Sequence, residues 1–285
     1  MKHLLQLLII IFVLSVNLVA QKQFEMNVIM LKDTFLVGEE IDLGLTLTNI
    51  TDMAQPIKVP GTIGIQIYDA KDNEVKDNNK VIGAVHRFGM TKSELKPKEA
   101  DYYIYNLMSS FGNKYYHGTL TTYLEAGEYK IKIRIKSANN FIEEKIISIN
   151  IIEPIGDELT FFNSFNSILS PLLAQKYDEI LFLEQLQNLH KTYPNSVYSP
   201  ILLDILAANM RFGVLKNEEK ADEYRNEILE KYTWSGLNWG FLSESLKAKA
   251  SRNEKIDYLN SLLPKSANSP MHKIIENYIK IETAK

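Results

Sequence analysis

The chain of 285 residues contains no cysteine. This absence excludes disulfide bonds, a redox-active thiol and thiolate ligands for a metal. It also excludes a lipid attached to a cysteine, so the sequence does not encode a lipoprotein. Stability must therefore come from the burial of apolar side chains, and the chain is long enough for one or two ordinary domains.

The sequence also lacks an excess of charge of either sign. Its 32 lysines and arginines nearly balance its 35 aspartates and glutamates, and both kinds are interspersed along the chain. Such a distribution provides no electrostatic footprint for nucleic acid and no polybasic patch for a membrane surface. We therefore expect no nucleic-acid partner.

The common catalytic motifs are missing as well. None of the five histidines belongs to an H-E-x-x-H or H-x-x-E-H pair, and the chain has neither a G-x-S-x-G elbow nor a Gly-rich phosphate loop. We nominate no catalytic, cofactor-binding or metal-binding residue and expect a protein that is not an enzyme. A zinc site assembled from His86, His117 and a distant carboxylate is the alternative to placing both histidines on the surface.

One loop is rich in residues that bind calcium, namely Asp69, Asp72, Asn73, Glu74, Asp77 and Asn78. Calcium prefers oxygen ligands of this kind. However, Lys71 stands where an EF-hand has its second ligand, and the glycine of that motif is absent. The spacing favours a hairpin whose turn is Asp72-Asn73 over a metal site.

The first 20 residues have the order of a secretory signal peptide. Lys2 precedes an unbroken apolar run from Leu7 to Leu14, and Ala20 lies just before a polar residue. The alternative is an uncleaved membrane anchor, but Ser15 and Asn17 interrupt the run before it is long enough to span a bilayer. The pattern predicts export, with the mature protein free in the periplasm or outside the cell.

The period of the apolar residues changes once, near Pro154-Ile155-Gly156-Asp157. Before this point it is two, as in strands, and after it the period is that of a helix. We therefore predict two domains, a β domain over residues 21–153 and a helical domain over residues 154–285.

Alternating apolar and polar residues predict four strands in the first part. They lie at Ile41–Leu47, Ile63–Ile67, Tyr129–Ile135 and Ile147–Ile151. Strands of this kind, with turn residues and no helix between them, predict an antiparallel β-sandwich in which each sheet buries one face and exposes the other to water.

Two short segments give the β part a family resemblance. Val37-Gly38-Glu39-Glu40 opens a strand that Asn49 closes, and Ala126-Gly127-Glu128-Tyr129 leads into a later strand. Residues 24–152 thereby resemble the bacterial immunoglobulin-like domains. The resemblance implies an immunoglobulin-like sandwich with Tyr129 as its tyrosine corner, but it implies little about function because such domains serve many purposes.

The second part contains amphipathic helices. Three apolar stripes recur at spacings of three and four: Ile180, Leu183, Leu186 and Leu189; Ala221, Tyr224, Ile228, Leu229 and Tyr232; and Met271, Ile274, Ile275 and Tyr278.

Three similar turns, each of which follows one amphipathic helix and precedes another, contain Ser196, Ser235 and Ser266, which are 39 and 31 residues apart. Each serine is predicted to cap the next helix. The unit resembles tetratricopeptide-like repeats, which implies stacked helical hairpins, and an irregular helical bundle is the alternative.

Aromatic residues are concentrated between Tyr102 and Tyr123. Tyr103 and Tyr105 fit the buried side of a strand, which leaves a candidate binding face of Phe111, Tyr115 and Tyr116. Aromatic rings with polar edges suit the recognition of proteins and sugars. Trp234 and Trp239 have two alternative roles, packing between helical hairpins or stacking on a ligand.

The sequence thus supports two kinds of function. The first is an exported, non-enzymatic protein that offers a binding or scaffold surface to a protein or glycan at the cell envelope. The alternative is an accessory module of a secreted hydrolase system or a sandwich-type protease inhibitor, whose binding loop would lie within the segment from Asp77 to Ala100.

Overall fold

The computed structural model describes residues 23–56, 63–75, 87–89, 94–107, 113–114, 122–137, 140–173 and 178–284. Within these ranges every strand precedes every helix, which confirms the predicted order of a β part followed by an α part. The strands are β1 (Phe24–Ile29), β2 (Thr34–Leu36), β3 (Asp42–Asn49), β4 (Gln55–Pro56), β5 (Ile63–Asp69), β6 (Arg87–Gly89), β7 (Glu94–Leu95), β8 (Ala100–Asn106), β9 (Asn113–Lys114), β10 (Thr122–Tyr123), β11 (Gly127–Ser137) and β12 (Asn140–Ile152).

Most of these strands form two four-stranded sheets. The first has the order β1-β3-β8-β6, the second has the order β2-β12-β11-β5, and two short ladders join β4 with β7 and β9 with β10. The inner faces of the sheets share one cluster of buried side chains, which includes Leu43, Leu45 and Leu47 from β3 and Ile131 and Ile133 from β11. The alternating apolar residues thus fill the space between the sheets, as two half-apolar sheets require.

The prediction of a wholly antiparallel arrangement is wrong for one strand. β2 runs parallel to β12, so the second sheet is mixed, while the other pairings in both sheets are antiparallel. The reason is that the chain leaves β1 in the first sheet and crosses to the edge of the second within residues 30–33. There it extends beside the last strand in that strand's own direction.

The outer face of β3 is covered, contrary to the expectation that it meets water. Asp42 is 6% exposed, and Gly44 is also buried. A Cβ atom placed on Gly44 would lie 2.9 Å from the Cβ of Pro270, the first residue of the last helix. The first sheet therefore lies between the second sheet and the C-terminal helices.

The helical part begins directly after β12. Its elements are α1 (Gly156–Leu173), α2 (Glu179–Thr192), α3 (Ser199–Phe212), α4 (Glu218–Lys231), α5 (Asn238–Lys247), α6 (Arg252–Leu262) and α7 (Pro270–Ala284), with a 3-10 turn at Pro264–Ser266. Among these described helices, none is both long enough and apolar enough to cross a membrane.

The predicted apolar stripes are buried, with one clear exception. Ile180 is 48% exposed because it lies in the first turn of α2, whereas Leu183, Leu186 and Leu189 further along that helix are buried. The stripe of α4 is buried in full, and in α7 only Tyr278 remains partly exposed.

Strands and helices share their buried clusters. The larger cluster joins both sheets to residues of α1, α2, α3 and α4. In the smaller one, Ile104 of β8 packs with side chains that come from α4, α5, α6 and α7. Apolar packing therefore continues from the sheets into the helices.

The three turns with similar sequences also share a backbone conformation. The N–H groups of Ser196, Ser235 and Ser266 each donate to the carbonyl three residues earlier, and each serine carbonyl accepts from the N–H three residues later. The repeat read in the sequence thus corresponds to a repeated local structure.

The prediction that these serines cap the following helices is wrong for Ser196 and Ser235. The N-caps of α3 and α5 are Tyr198 and Leu237, and neither side chain caps its helix. Ser196 and Ser235 lie two residues earlier and accept from the N–H of the N-cap residue itself, both at 3.2 Å. Their own hydroxyl protons are donated to carboxylates, which makes them attachment points between elements.

The described part of the acidic loop, which excludes Asp77 and Asn78, forms the tight turn expected of a hairpin. Asp69 accepts hydrogen bonds from the N–H groups of Lys71 and Asn73, and Tyr68 pairs with Glu74 in an isolated bridge. Asp72 has a positive φ of 59° and is paired with Lys130 at 2.7 Å. The Asp69 carboxylate is thus engaged by the turn itself, and the Asp72 carboxylate is engaged by Lys130.

Candidate functional site

The segment between β2 and β3 is a turn that the sequence motif Val37-Gly38-Glu39 dictates. Gly38 has a φ of +80°, a conformation that glycine adopts without strain. The N–H of Glu39 donates to the carbonyl of Leu36 at 3.0 Å, and the Glu39 carboxylate accepts from the N–H of Leu36 at 2.8 Å. Lys32 pairs with that carboxylate at 2.6 Å, although burial dominates and raises the pKa of Glu39.

Two helical elements dock on this turn. The hydroxyl of Tyr198 donates to the carbonyl of Val37 at 2.8 Å, and a Cβ on Gly38 would lie 2.5 Å from Cε2 of Phe162 in α1. The Tyr198 ring stacks on Phe161, with centroids 5.6 Å apart and an interplanar angle of 16°. Gly38 therefore provides both the turn conformation and the room for α1.

The next residues hold two buried acids in the junction between the first sheet and the helices. Glu40 is 2% exposed and Asp42 is 6% exposed. Glu40 accepts from Ser235 Oγ at 2.7 Å and from Asn106 Nδ2 at 3.0 Å, and Asp42 accepts from the N–H of Gly236 at 2.6 Å. The Ser235–Gly236 turn is thus bound through two carboxyl groups, one on the first residue of β3 and one just before that strand.

Both acids hold their protons more tightly than in water. Burial, followed by the charge of Asp42, raises the pKa of Glu40 well above its ordinary value. Burial also raises the pKa of Asp42 to about 6, although hydrogen bonds from Gly236, Glu40 and Asn106 favour its ionised form.

The same attachment occurs one repeat earlier with a different acid. Ser196 Oγ donates to Glu158 of α1 at 2.7 Å, and the N–H of Val197 donates to the same carboxylate at 3.2 Å. In both turns the serine hydroxyl and the next backbone N–H donate hydrogen bonds to carboxylate oxygens, so a turn of this kind is suited to binding carboxyl groups. The second turn is thus bound by Glu40 and Asp42 at the start of β3, as the first turn is bound by Glu158 of α1.

The junction is enclosed, so it is a structural site and offers no access to a substrate. Among the described residues, no group of three or more His, Cys, Asp or Glu side chains could hold a metal ion. A surface for another molecule must therefore be sought elsewhere on the protein.

Such a surface lies where α2 begins and where a loop connects α3 to α4. Five large apolar side chains are exposed there: Ile180 (48%), Leu181 (52%), Phe212 (81%), Val214 (76%) and Leu215 (40%). Glu179 accepts a hydrogen bond from the N–H of Val214 at 2.6 Å, which brings the start of α2 beside the α3–α4 loop. We call these five residues the apolar tip.

A cleft of about 540 Å³ lies at one end of the second sheet, between β2, β11 and β12. Asp33, Thr34, Tyr129, Lys130 and Asn150 are among the residues that line it. Lys130 is paired with Asp72. Polar and apolar groups line the cleft in similar measure.

The residues singled out by sequence reasoning fall mainly elsewhere. Phe111, Tyr115 and Tyr116 lie outside the described residues, as do the signal segment, His86 and His117 and much of the segment from Asp77 to Ala100.

Trp234 is half-buried and packs edge-on against Tyr232, with centroids 6.3 Å apart. The side chain of Trp239 also lies outside the description. The sequence reasoning missed the apolar tip, although Phe212-Gly213-Val214-Leu215, an apolar run between two helices, is a readable signal.

Comparison with known proteins adds little to this description. No protein-family model and no curated protein matches the chain. A β-glucosidase from Listeria innocua crystallised with isofagomine is 18% identical with a TM-score of 0.29, covering 46% of this chain and 16% of that one.

Two smaller structures have similar scores. A CARDB domain from Pyrococcus furiosus is 12% identical (TM-score 0.28; 46% of this chain, 96% of that one). A sporulation control protein from Bacillus subtilis is 11% identical (TM-score 0.28; 51% and 56%). Similarities this low assign the chain neither a fold family nor an activity.

Proposed function

We propose that this chain is an exported, non-enzymatic binding protein that presents its apolar tip to a protein partner in the periplasm or outside the cell. The apolar tip is the observation that carries the proposal. Scattered exposed apolar residues are ordinary, but a group of neighbouring ones on a soluble protein marks an interaction surface. Phe212 and Val214, at 81% and 76% exposed, would lose the most water-accessible area on binding.

The apolar tip is held by the core beneath it. α3, which leads into the loop, buries most of its length, and the Glu179–Val214 hydrogen bond closes the loop onto α2. The space at Gly213 is filled by Glu179 and by the carbonyl of Asn209. A surface fixed in this way loses little conformational entropy when it binds, which favours affinity.

The chemistry of the apolar tip favours a protein over a glycan. Four of its five side chains are aliphatic and the fifth is phenylalanine. Sugars are bound by aromatic rings together with hydrogen-bonding groups, and the tip has none of the latter in its side chains. An apolar surface on another protein is the complementary partner.

We also propose the finer fold assignment that the sequence suggested. An immunoglobulin-like sandwich is supported by the two four-stranded sheets and by the Tyr129 hydroxyl, which donates to the carbonyl of Glu125 at 3.0 Å as a tyrosine corner does. A tetratricopeptide-like arrangement is supported by the repeated turns. Export is supported by the order of residues 1–20 alone.

The binding proposal is tested with mature protein immobilised and exposed to envelope extract. Wild type should retain a protein partner, and the double variant Phe212→Ser, Val214→Ser should bind at least about tenfold more weakly because two buried apolar side chains are lost. Met53→Ser is the matched control, since Met53 is 70% exposed but lies in the β part. The purified partner gives the affinities by calorimetry.

Several outcomes would contradict this proposal. Equal capture by wild type and the double variant would remove the apolar tip as the binding surface. Self-association that the double variant abolishes would make a second copy the occupant, and specific binding to a polysaccharide would make a glycan the partner. Turnover in a screen of hydrolase substrates would contradict the non-enzymatic part.

A further inference from the structure

The carboxyl groups of Glu40 and Asp42 are both buried in the junction, and no described lysine, arginine or histidine forms an ion pair with either of them. We propose that they share one proton, and that this proton holds the Tyr232–Asn238 turn against β3, so that the junction between the sheets and the helices weakens as the pH rises. The inference goes beyond the proposed function, because it concerns how the two parts of the chain are held together.

The pair has too few hydrogen-bond donors for two ionised carboxylates. The Glu40 oxygens accept from Ser235 and Asn106, and Asp42 Oδ2 accepts from the N–H of Gly236, with the Asn106 amide also beside Asp42. Asp42 Oδ1 is buried and accepts from no N–H or O–H of the described residues. Buried oxygens are seldom left without a donor. The Glu40 carboxyl group lies beside that of Asp42, so a proton on Glu40 would supply the donor that Asp42 Oδ1 lacks.

Ionising both acids would be costly. Two ionised carboxylates this close together would repel each other at low dielectric, as in the carboxyl dyad of aspartic proteases. Gly236 packs so tightly on Asp42 that a Cβ atom would lie 2.7 Å from Oδ1, which leaves no room for a screening ion on that side. A shared proton removes one of the two charges.

The charged groups of the surrounding elements are engaged elsewhere. On the β3 side, Glu39 faces Lys32 and Glu158. On β8, Asp101 accepts from Tyr103 at the other end of the strand.

The remaining charges near the junction belong to α7, which packs on β3 and β8. His272 lies 3.5 Å from Glu276, and Lys273 pairs with the same residue at 2.7 Å. The Tyr232–Asn238 turn contributes Ser235 and a backbone N–H but no charged side chain. No described cation is therefore placed to neutralise the pair.

The direction of the pH effect follows from linkage. An acid whose pKa is raised by folding binds its proton more tightly in the folded chain than in the unfolded chain. Its contribution to stability is complete below the ordinary carboxyl pKa and is lost as the pH rises through the raised value. For Asp42 that range ends near the pKa of about 6, and for Glu40 it extends higher.

The experiment measures urea unfolding of the mature chain at pH values from about 5 to about 8. In wild type, the unfolding equilibrium constant should rise by up to about tenfold per pH unit for each proton held by the folded state. Glu40→Gln keeps a donor for Asp42 without an ionisable proton, so its slope should be lower by about one proton. Glu25→Gln, at an exposed position on β1, is the matched control and should keep the wild-type slope.

Comparison between variants is needed because another acid titrates in this range. Burial raises the pKa of Asp204 to about 6, against the opposing charge of Arg225, and it contributes equally in every variant. A wild-type slope that Glu40→Gln leaves unchanged would overturn the proposal. Asp42→Asn provides a second variant if the first does not fold.

An infrared measurement on the wild type needs no variant. The folded protein at neutral pH should contain the C=O stretch of an un-ionised carboxyl group, and this band should vanish when the chain is unfolded at the same pH. A spectrum without the band would overturn the shared proton directly.

Discussion

Replacing Gly38 by alanine should lower the free energy of unfolding by about 2–5 kcal/mol. Two costs combine at this position. A non-glycine residue at a φ of +80° costs about 1–2 kcal/mol. The added Cβ would also lie 2.5 Å from the Phe162 ring, and overpacking of this kind costs about 1–3 kcal/mol.

The measurement is urea unfolding of Gly38→Ala beside a matched glycine variant. Gly240 lies in α5 with nothing within 4 Å of a Cβ built on it, so Gly240→Ala should instead stabilise the protein by about 0.5–1 kcal/mol. A Gly38→Ala variant as stable as wild type would mean that α1 does not press on this turn.

Truncating Phe161 should have a still larger effect. Phe161 is fully buried in α1, where its ring stacks on Tyr198 and packs near Phe165 and Tyr193. Phe161→Ala removes this packing and leaves a cavity, which costs about 3–5 kcal/mol for a buried phenylalanine. Because Tyr198 bonds to Val37, the loss should also loosen the attachment of α3 to the β2–β3 turn.

Phe212→Ala is the control, since it removes the same atoms from a side chain that is 81% exposed. It should change stability by no more than about 0.5 kcal/mol. Unfolding curves read by circular dichroism give both values. A small effect at Phe161, comparable to that at Phe212, would contradict the placement of α1 in the shared core.

The strands and most helical stripes were predictable because they depend on short-range patterns. Ile131 and Ile133 alternate with Lys130 and Lys132 along β11, and this period of two suffices to specify a strand with one buried face. The change of period near Pro154 likewise falls between the end of β12 at Ile152 and the start of α1 at Gly156. The parallel pairing of β2 with β12 was not predictable, because it joins residues far apart in the sequence.

The junction was hidden for the same reason. Asp42 alternates with apolar neighbours and therefore reads as a water-facing residue, yet Gly236 covers it from 194 residues away. Glu40 looks like part of a strand-opening motif, and nothing in the local pattern indicates its bond to Ser235. Which serines donate hydrogen bonds to carboxylates depends on how the turns pack against other elements, and a local sequence pattern does not contain that information.

The sheets and the helices form one body that is joined through the β2–β3 turn and the buried acid pair. This attachment is tested most directly by following both parts while the protein is unfolded in urea. The chain's two tryptophans, Trp234 and Trp239, lie in the helical part, so their fluorescence follows the helices. Amide hydrogen exchange of peptides from β11 and β12 follows the sheets. We predict one coincident transition, and strands that stay protected after the tryptophan signal has been lost would contradict the claim.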